Sequence, residues 1–189
     1  KKVEKMGGEG TYLSPNEDGL INLSDLEAAI TDKTILITVM YGNNEIGVVQ
    51  DIKAISDIAK KNGILFHTDA TQAVGKIPVD VIADGIDLMS FTAHKMYGPK
   101  GVGALYVRRK NPRVKVTSQM DGGGHERGMR SGTLNVPGIV GFGKACEIAQ
   151  NEMAGEALRL GVMRDRLEKE LLTMEEAYVN GNTLHRLPH

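Results

Sequence analysis

Lys95 stands directly after His94, just past the short apolar run Ile86-Asp87-Leu88-Met89, which reads as a buried strand. The following Gly98-Pro99-Lys100-Gly101 ends that strand in a turn. A lysine at the mouth of a buried strand is poorly placed to stay a free ammonium, because desolvation disfavours the charge. It is well placed to lose its proton and attack a carbonyl. Upstream, Phe66-His67-Thr68-Asp69 puts a carboxylate at the end of another apolar run. Taken singly, each residue also has an ordinary role. Lys95 reads as a loop lysine, Asp69 as half of an internal ion pair, His67 as a packed, hydrogen-bonded core residue and His94 as a brace for its turn.

The elements around them alternate. Thr34 to Met40 is a continuous β-branched run, the mark of a strand covered on both faces. It ends in the polar loop Tyr41–Gly47. Asp51 then caps a helix with Ile52, Ile55, Ile58 and Ala59 on one stripe, stopped by Asn62-Gly63. Ile64-Leu65-Phe66 begins the next strand, and a short helical segment near Val79–Ala83 leads to the strand ending at Thr92. Ala104–Val107 reads as a further strand. Before all of these, Tyr12-Leu13 suggests a short strand, and Ser24-Asp25-Leu26-Glu27 has the form of a capping box with Leu26, Ala29 and Ile30 facing the core. This is the α/β pattern of a mostly parallel sheet with helices on both faces. Such sheets bind ligands at the carboxyl ends of their strands, where Asn44, Asp69, Thr92, His94 and Lys95 all fall.

The C-terminal third differs. Residues 117–135 form a polar, Gly-rich loop, and Val136 to Met174 reads as two helices broken near Ala154-Gly155. The composition shift places a boundary near 150, dividing a partial cofactor-binding domain (1–150) from a helical linker and the start of a small domain (151–189). Tyr178-Val179-Asn180 could begin a strand of that second domain. A chain that starts at Lys1 and stops at Leu187-Pro188-His189 reads as a piece of a longer protein, incomplete at both ends.

Composition excludes several classes. With 189 residues, 41% hydrophobic and 25% charged, the chain is an ordinary globular protein. A net charge of -1 gives no reason to expect nucleic acid or an anionic membrane as a partner. No apolar run approaches the roughly 20 residues of a membrane helix. The basic group Arg108, Arg109, Lys110, Arg113 and Lys115 reads as a solvated turn. Cys146, the sole cysteine, lies on an apolar helical face and reads as core. Phosphate-loop, nucleophile-elbow and metal-ligand spacings are all missing, so no metal is expected. The remaining fit is pyridoxal phosphate, which needs an amine, a carboxylate for its ring nitrogen and donors for its phosphate. Lys95, Asp69 and the Thr92–His94 pair offer one of each kind.

Four motifs in order then make a family visible. Asn43-Asn44-Glu45-Ile46-Gly47, His67–Gln72, His94–Gly101 and Arg127–Thr133 resemble those of cysteine desulfurases, fold-type I, class V aminotransferase-like pyridoxal phosphate enzymes. The resemblance spans essentially the whole chain and is closest to the iron–sulfur cluster assembly type. It implies that Lys95 carries the cofactor and moves protons at the substrate α-carbon, and that Asp69 faces the ring nitrogen. Gln72 and Asn44 would hydrogen-bond the ring hydroxyl and its surroundings, and Thr92 and His94 the phosphate. Thr133 would reach the phosphate of a neighbouring subunit, which implies a homodimer. The implied reaction turns L-cysteine into L-alanine and passes sulfur as a persulfide to an iron–sulfur scaffold protein. The implied compartment is the cytoplasm or the mitochondrial matrix. The family's sulfur-accepting cysteine and its N-terminal phosphate loop have no counterpart in these residues, and Ala93 stands where a glycine is common. The 189 residues alone are therefore not expected to turn over cysteine at a useful rate. Two other readings are a selenocysteine lyase or related lyase of the same superfamily, and a non-catalytic interaction fragment.

Overall fold

Four short runs rich in apolar and β-branched residues pair into one mixed sheet: β1 (Leu36–Met40), β2 (Leu65–Asp69), β3 (Leu88–Thr92) and β4 (Gly103–Val107). The structure is a computed structural model that describes residues 2–189. Strands β1, β2 and β3 run parallel in that order, and β4 returns antiparallel to β3. The connections explain the directions. A parallel pair needs a long crossover, and α3 (Ile52–Lys61) supplies it between β1 and β2. A turn of about ten residues joins β3 to β4, so β4 can only come back alongside. The register puts Met40 beside Asp69 and Asp69 beside Ser90, so the carboxyl ends of β1, β2 and β3 lie level.

Helix α3 forms as its sequence dictates. Asp51 accepts a hydrogen bond from the Ala54 N–H at 2.9 Å, and Gly63 takes the left-handed φ of +66° that ends the helix. Its stripe of Ile52, Ile55, Ile58 and Ala59 is buried against β2, in a core with Phe66, Ile86 and Met89. Burial of each such side chain contributes about 1.5–3 kcal/mol. Two short helices, α1 (Lys2–Lys5) and α2 (Leu23–Ala29), precede the sheet. Leu26 buries its side chain in the core as its spacing predicts.

The structure corrects several expectations. Asn22, not Ser24, caps α2, because its Oδ1 accepts from both the N–H and the hydroxyl of Ser24. Glu27 is then free to pair with Lys61 at 3.3 Å. Val79–Ala83 makes only a turn: Asp80 accepts from the N–H groups of Ile82 and Ala83 as a cap does, but Gly85, at a left-handed φ of +70°, ends it after one turn. Tyr12-Leu13 and Tyr178–Asn180 are not in strands. Strand β1 is not covered on both faces: only Ile37 is buried, while Leu36 and Met40 are exposed. Arg108 leaves the basic turn and pairs with Asp87 at 3.0 Å, both side chains mostly buried. The last helix, α4 (Val136–Leu171), is one uninterrupted helix of 36 residues. A Cβ added at Gly155 would meet open space, and the helix runs through it. The boundary expected near 150 falls inside this helix. Lys1, first residue of the mixed N-terminal stretch, lies outside the described residues.

Candidate functional site

Strand alternation sets the first group. In β2, Phe66 and Thr68 point into the core, fully buried, so Leu65, His67 and Asp69 share the opposite face. The hydroxyl of Thr38 lies 2.7 Å from His67 Nδ1. Burial pushes the His67 pKa down, and the nearby charge of Asp69 offsets part of that. Asp69 Oδ1 accepts the N–H of Thr71 at 3.0 Å, which turns the chain as it leaves the strand. Among the described residues, no lysine or arginine forms an ion pair with Asp69.

The end of β3 carries the second group. After Thr92 the chain tightens into a 3-10 turn, Ala93–Met96, closed by Tyr97 in the left-handed region at φ 63°. Ala93 and Met96 are buried against Phe142 and Ala145 of α4. With those two positions turned inward, the intervening His94 and Lys95 face outward. Lys95 is therefore exposed in this chain, and the desolvation expected at the strand mouth is not what surrounds it. The Thr92 hydroxyl donates to the Val102 carbonyl at 3.2 Å and lies 3.0 Å from His94 Nδ1. The Thr92 hydroxyl has one hydrogen for two acceptors; turned to Nδ1, it leaves the imidazole proton on Nε2, where it can be donated.

Helix α4 seats this turn closely. A Cβ added at Gly98 would come within 3.0 Å of the Ala93 carbonyl oxygen and 3.1 Å of Ala145 Cβ. One added at Gly141 would lie 2.6 Å from Pro99. The rings of Phe91 and Phe142 meet edge to face, centroids 5.6 Å apart.

A third group lines a cleft of about 190 Å³ that includes Asn44, Gln72, Arg164, Arg186, Leu187 and His189. Its loop is fixed by Asn43, whose Oδ1 accepts from the N–H groups of Glu45 and Ile46. Asn44 is thereby left exposed. The chain's last residues close the cleft: Gly47 accepts from the Leu187 N–H and Val49 donates to His185, both at 2.8 Å. Sequence reasoning missed Arg164 and Arg186, whose partners (the Leu187 carbonyl for one, Glu168 for the other) lie some 20 residues away in sequence.

Asp69, Thr92, His94 and Lys95 thus stand at the ends of two neighbouring strands, and Asn44 and Gln72 share one cleft. Thr133 stands apart, exposed in the loop before α4. Cys146 packs beside the Ala93–Phe142 cluster, and burial raises its pKa. Among the described residues no cluster of His, Cys, Asp and Glu could hold a metal ion.

Known proteins share this fold. The chain is 56% identical over all 189 residues to the cysteine desulfurase IscS of Photorhabdus laumondii, and equally to that of Escherichia coli. It spans 46% of the length of each, about half of these relatives. Among solved structures, a NifS-like protein superposes with a TM-score of 0.92 at 36% identity, covering 99% of this chain and 51% of the other. DndA from Streptomyces lividans gives 0.91 at 34% identity, covering 100% and 53%. SspA in complex with cysteine gives 0.73 at 45% identity over 77% of this chain and 42% of that one. The model of the class V aminotransferases matches residues 1–189. With the fold and the match over all 189 residues in agreement, the chain belongs to the class V aminotransferase family.

Proposed function

We propose that the strand ends form a pyridoxal phosphate site of a cysteine desulfurase. The observation that carries this reading is Asp69: a carboxylate at the sheet's ligand-binding edge, held by one N–H and, among the described residues, answered by no lysine or arginine. A protonated ring nitrogen is the cation that such a carboxylate suits. The donor set beside it fits the rest of the cofactor. Lys95 Nζ would hold the group covalently, Thr92 and His94 Nε2 would meet its phosphate, and Asn44 and Gln72 would orient the ring substituents. When bound, pyridoxal phosphate supplies an electron sink at the α-carbon of an amino acid.

Lys95 then takes and returns a proton at the α-carbon of L-cysteine, which leaves as L-alanine. Sulfur departs to a cysteine thiolate as a persulfide and onward to an iron–sulfur scaffold protein. Cys146 is not that acceptor: a thiol on α4, packed beside the Ala93–Phe142 cluster and with a raised pKa, holds little thiolate. Thr133, exposed in the loop before α4, is assigned to the phosphate of a second subunit in a homodimer, and the same reading assigns the protein to the cytoplasm. Among the described residues no helix is long and apolar enough to cross a membrane.

The test is the visible absorbance of the purified chain with added pyridoxal phosphate, beside Lys95→Ala. A yellow band in wild type that is lost in the variant supports the site. Equal spectra for both proteins would refute Lys95 as the attachment point.

A further inference from the structure

Lys76 is 8% exposed, and the chemistry proposed above does not use it. Its ammonium lies 3.9 Å from the centroid of the Tyr97 ring and 3.8 Å from Glu156 Oε2. The Tyr97 hydroxyl donates to Glu156 Oε1 at 2.9 Å, and Arg159 approaches the same oxygen at 3.7 Å. Three separate segments therefore meet: the loop after β2, the turn that carries Lys95, and α4. Tyr97 is two residues past Lys95 and holds the left-handed backbone that ends the turn. A tyrosine does not favour that conformation, so something must hold it there. Apolar burial does not, since Tyr97 is 74% exposed. The Ala93 carbonyl closes the turn by accepting from the Gly98 N–H at 2.9 Å, and the charged pair on the Tyr97 ring and hydroxyl holds the side chain in place.

We propose that Lys76, Tyr97 and Glu156 form a bracket that fixes the conformation of the Lys95 turn, which makes all three positioning residues for the Lys95 amine. The role toward Lys95 rests on the cofactor site proposed above, whereas the bracket itself rests on geometry alone. Its parts are unequal in a useful way. Tyr97→Phe removes the hydroxyl bond but keeps the ring over Lys76. Glu156→Gln keeps an acceptor for Tyr97 but removes the charge facing Lys76, and Glu156→Ala removes both.

The test uses two readouts on wild type and these variants. One is amide hydrogen exchange across residues 93–98. The other is the rate at which Lys95 takes up pyridoxal phosphate, trapped by borohydride and located by peptide mass spectrometry. Tyr97→Phe and Glu156→Ala should each speed exchange in the turn and slow Lys95 uptake by about three- to tenfold. Glu156→Gln should fall between Glu156→Ala and wild type. Combining Tyr97→Phe with Glu156→Ala should do no more than the worse single change, because both break one unit. Tyr97→Phe should lower the urea midpoint only slightly and stay fully folded without urea, which separates the effect from unfolding. Wild-type exchange and uptake in both Tyr97→Phe and Glu156→Ala would overturn the bracket. Faster exchange with unchanged uptake would overturn its role toward Lys95. If wild-type Lys95 takes up no cofactor, the cofactor site itself fails, and exchange in the turn alone decides the bracket.

Discussion

Replacing Asp69 by asparagine preserves an acceptor for the Thr71 N–H and removes only the charge. A charge-assisted hydrogen bond contributes about 1.5–3 kcal/mol, so Asp69→Asn should weaken pyridoxal phosphate binding by about 10- to 100-fold. An absorbance titration measures it, and a fold unaffected by the change should show the wild-type urea midpoint. Arg108 behaves oppositely. Its guanidinium pairs with Asp87 and also donates to the Ile86 and Val81 carbonyls. Asp87 in turn accepts the Phe66 N–H at 3.0 Å. Arg108→Met leaves a mostly buried carboxylate without its cation and should cost about 3–5 kcal/mol in urea unfolding, with no direct effect on the strand-end residues. His67 supplies a pH dependence. Burial lowers its pKa from the ordinary 6.5, and His189 is lowered for the same first reason. The unfolded chain therefore binds these protons first. Stability from both groups is full above about pH 6.5 and declines as the pH falls below it. His67→Gln should flatten that decline between about pH 7 and pH 5, measured as unfolding free energy at each pH.

At the scale of elements, the seat of the Lys95 turn is the junction of α4 with β3. Phe142→Ala removes the ring that meets Phe91 and covers Ala93 and Met96, and should cost about 3–5 kcal/mol. A loosened turn should also slow cofactor uptake at Lys95, so a variant with lowered stability and undiminished uptake would contradict this seat. How far these elements could be read from sequence follows a physical line. Helix α3 was legible because its cap, stripe and terminating Asn-Gly all act within a few residues of one another. The strand ends were legible because polar residues interrupt apolar runs there, and that placed Asp69, Thr92, His94 and Lys95. What failed depended on competition or distance. Asn22 capped α2 two residues ahead of Ser24, and Gly85 stopped the turn that Asp80 had capped. Arg108 looked like its basic neighbours, because its partner Asp87 sits 21 positions away. The tight approach of Gly98 and Gly141 to α4 left no periodic trace at all, and neither did the seating of Lys76 over Tyr97.

At the scale of the molecule, burial is lopsided. The buried residues of α4 are Gly138, Phe142 and Ala145, all in its first third. Farther along, Leu158 is 76% exposed and Val162 72%, and at the free edge of the sheet Ile35 is 82% exposed. Apolar faces of this kind mark surfaces that another chain or segment covers. The isolated chain should therefore self-associate, with a sedimentation coefficient that rises with concentration and persists in high salt. Val162→Glu with Leu158→Glu should reduce it; an unchanged monomer at all concentrations would rule the association out.

The strap at the far end of the chain gives the cleft a history as well as a shape. Leu187 is almost fully buried, with its N–H on the Gly47 carbonyl, and these two residues lie about 140 positions apart. The parallel pair β1–β2 can form once a crossover of some 25 residues has closed. The strap must gather nearly the whole chain, and the entropy of closing a loop rises with its length. In time, then, the sheet edge that presents Asp69 should be in place before the wall beside Asn44 is built. Pulse-labelled exchange during refolding would find the Tyr41 amide, bonded to the Asp69 carbonyl, protected first and the Leu187 and Val49 amides last. During synthesis, the wall must wait for the final residues of this stretch to leave the ribosome.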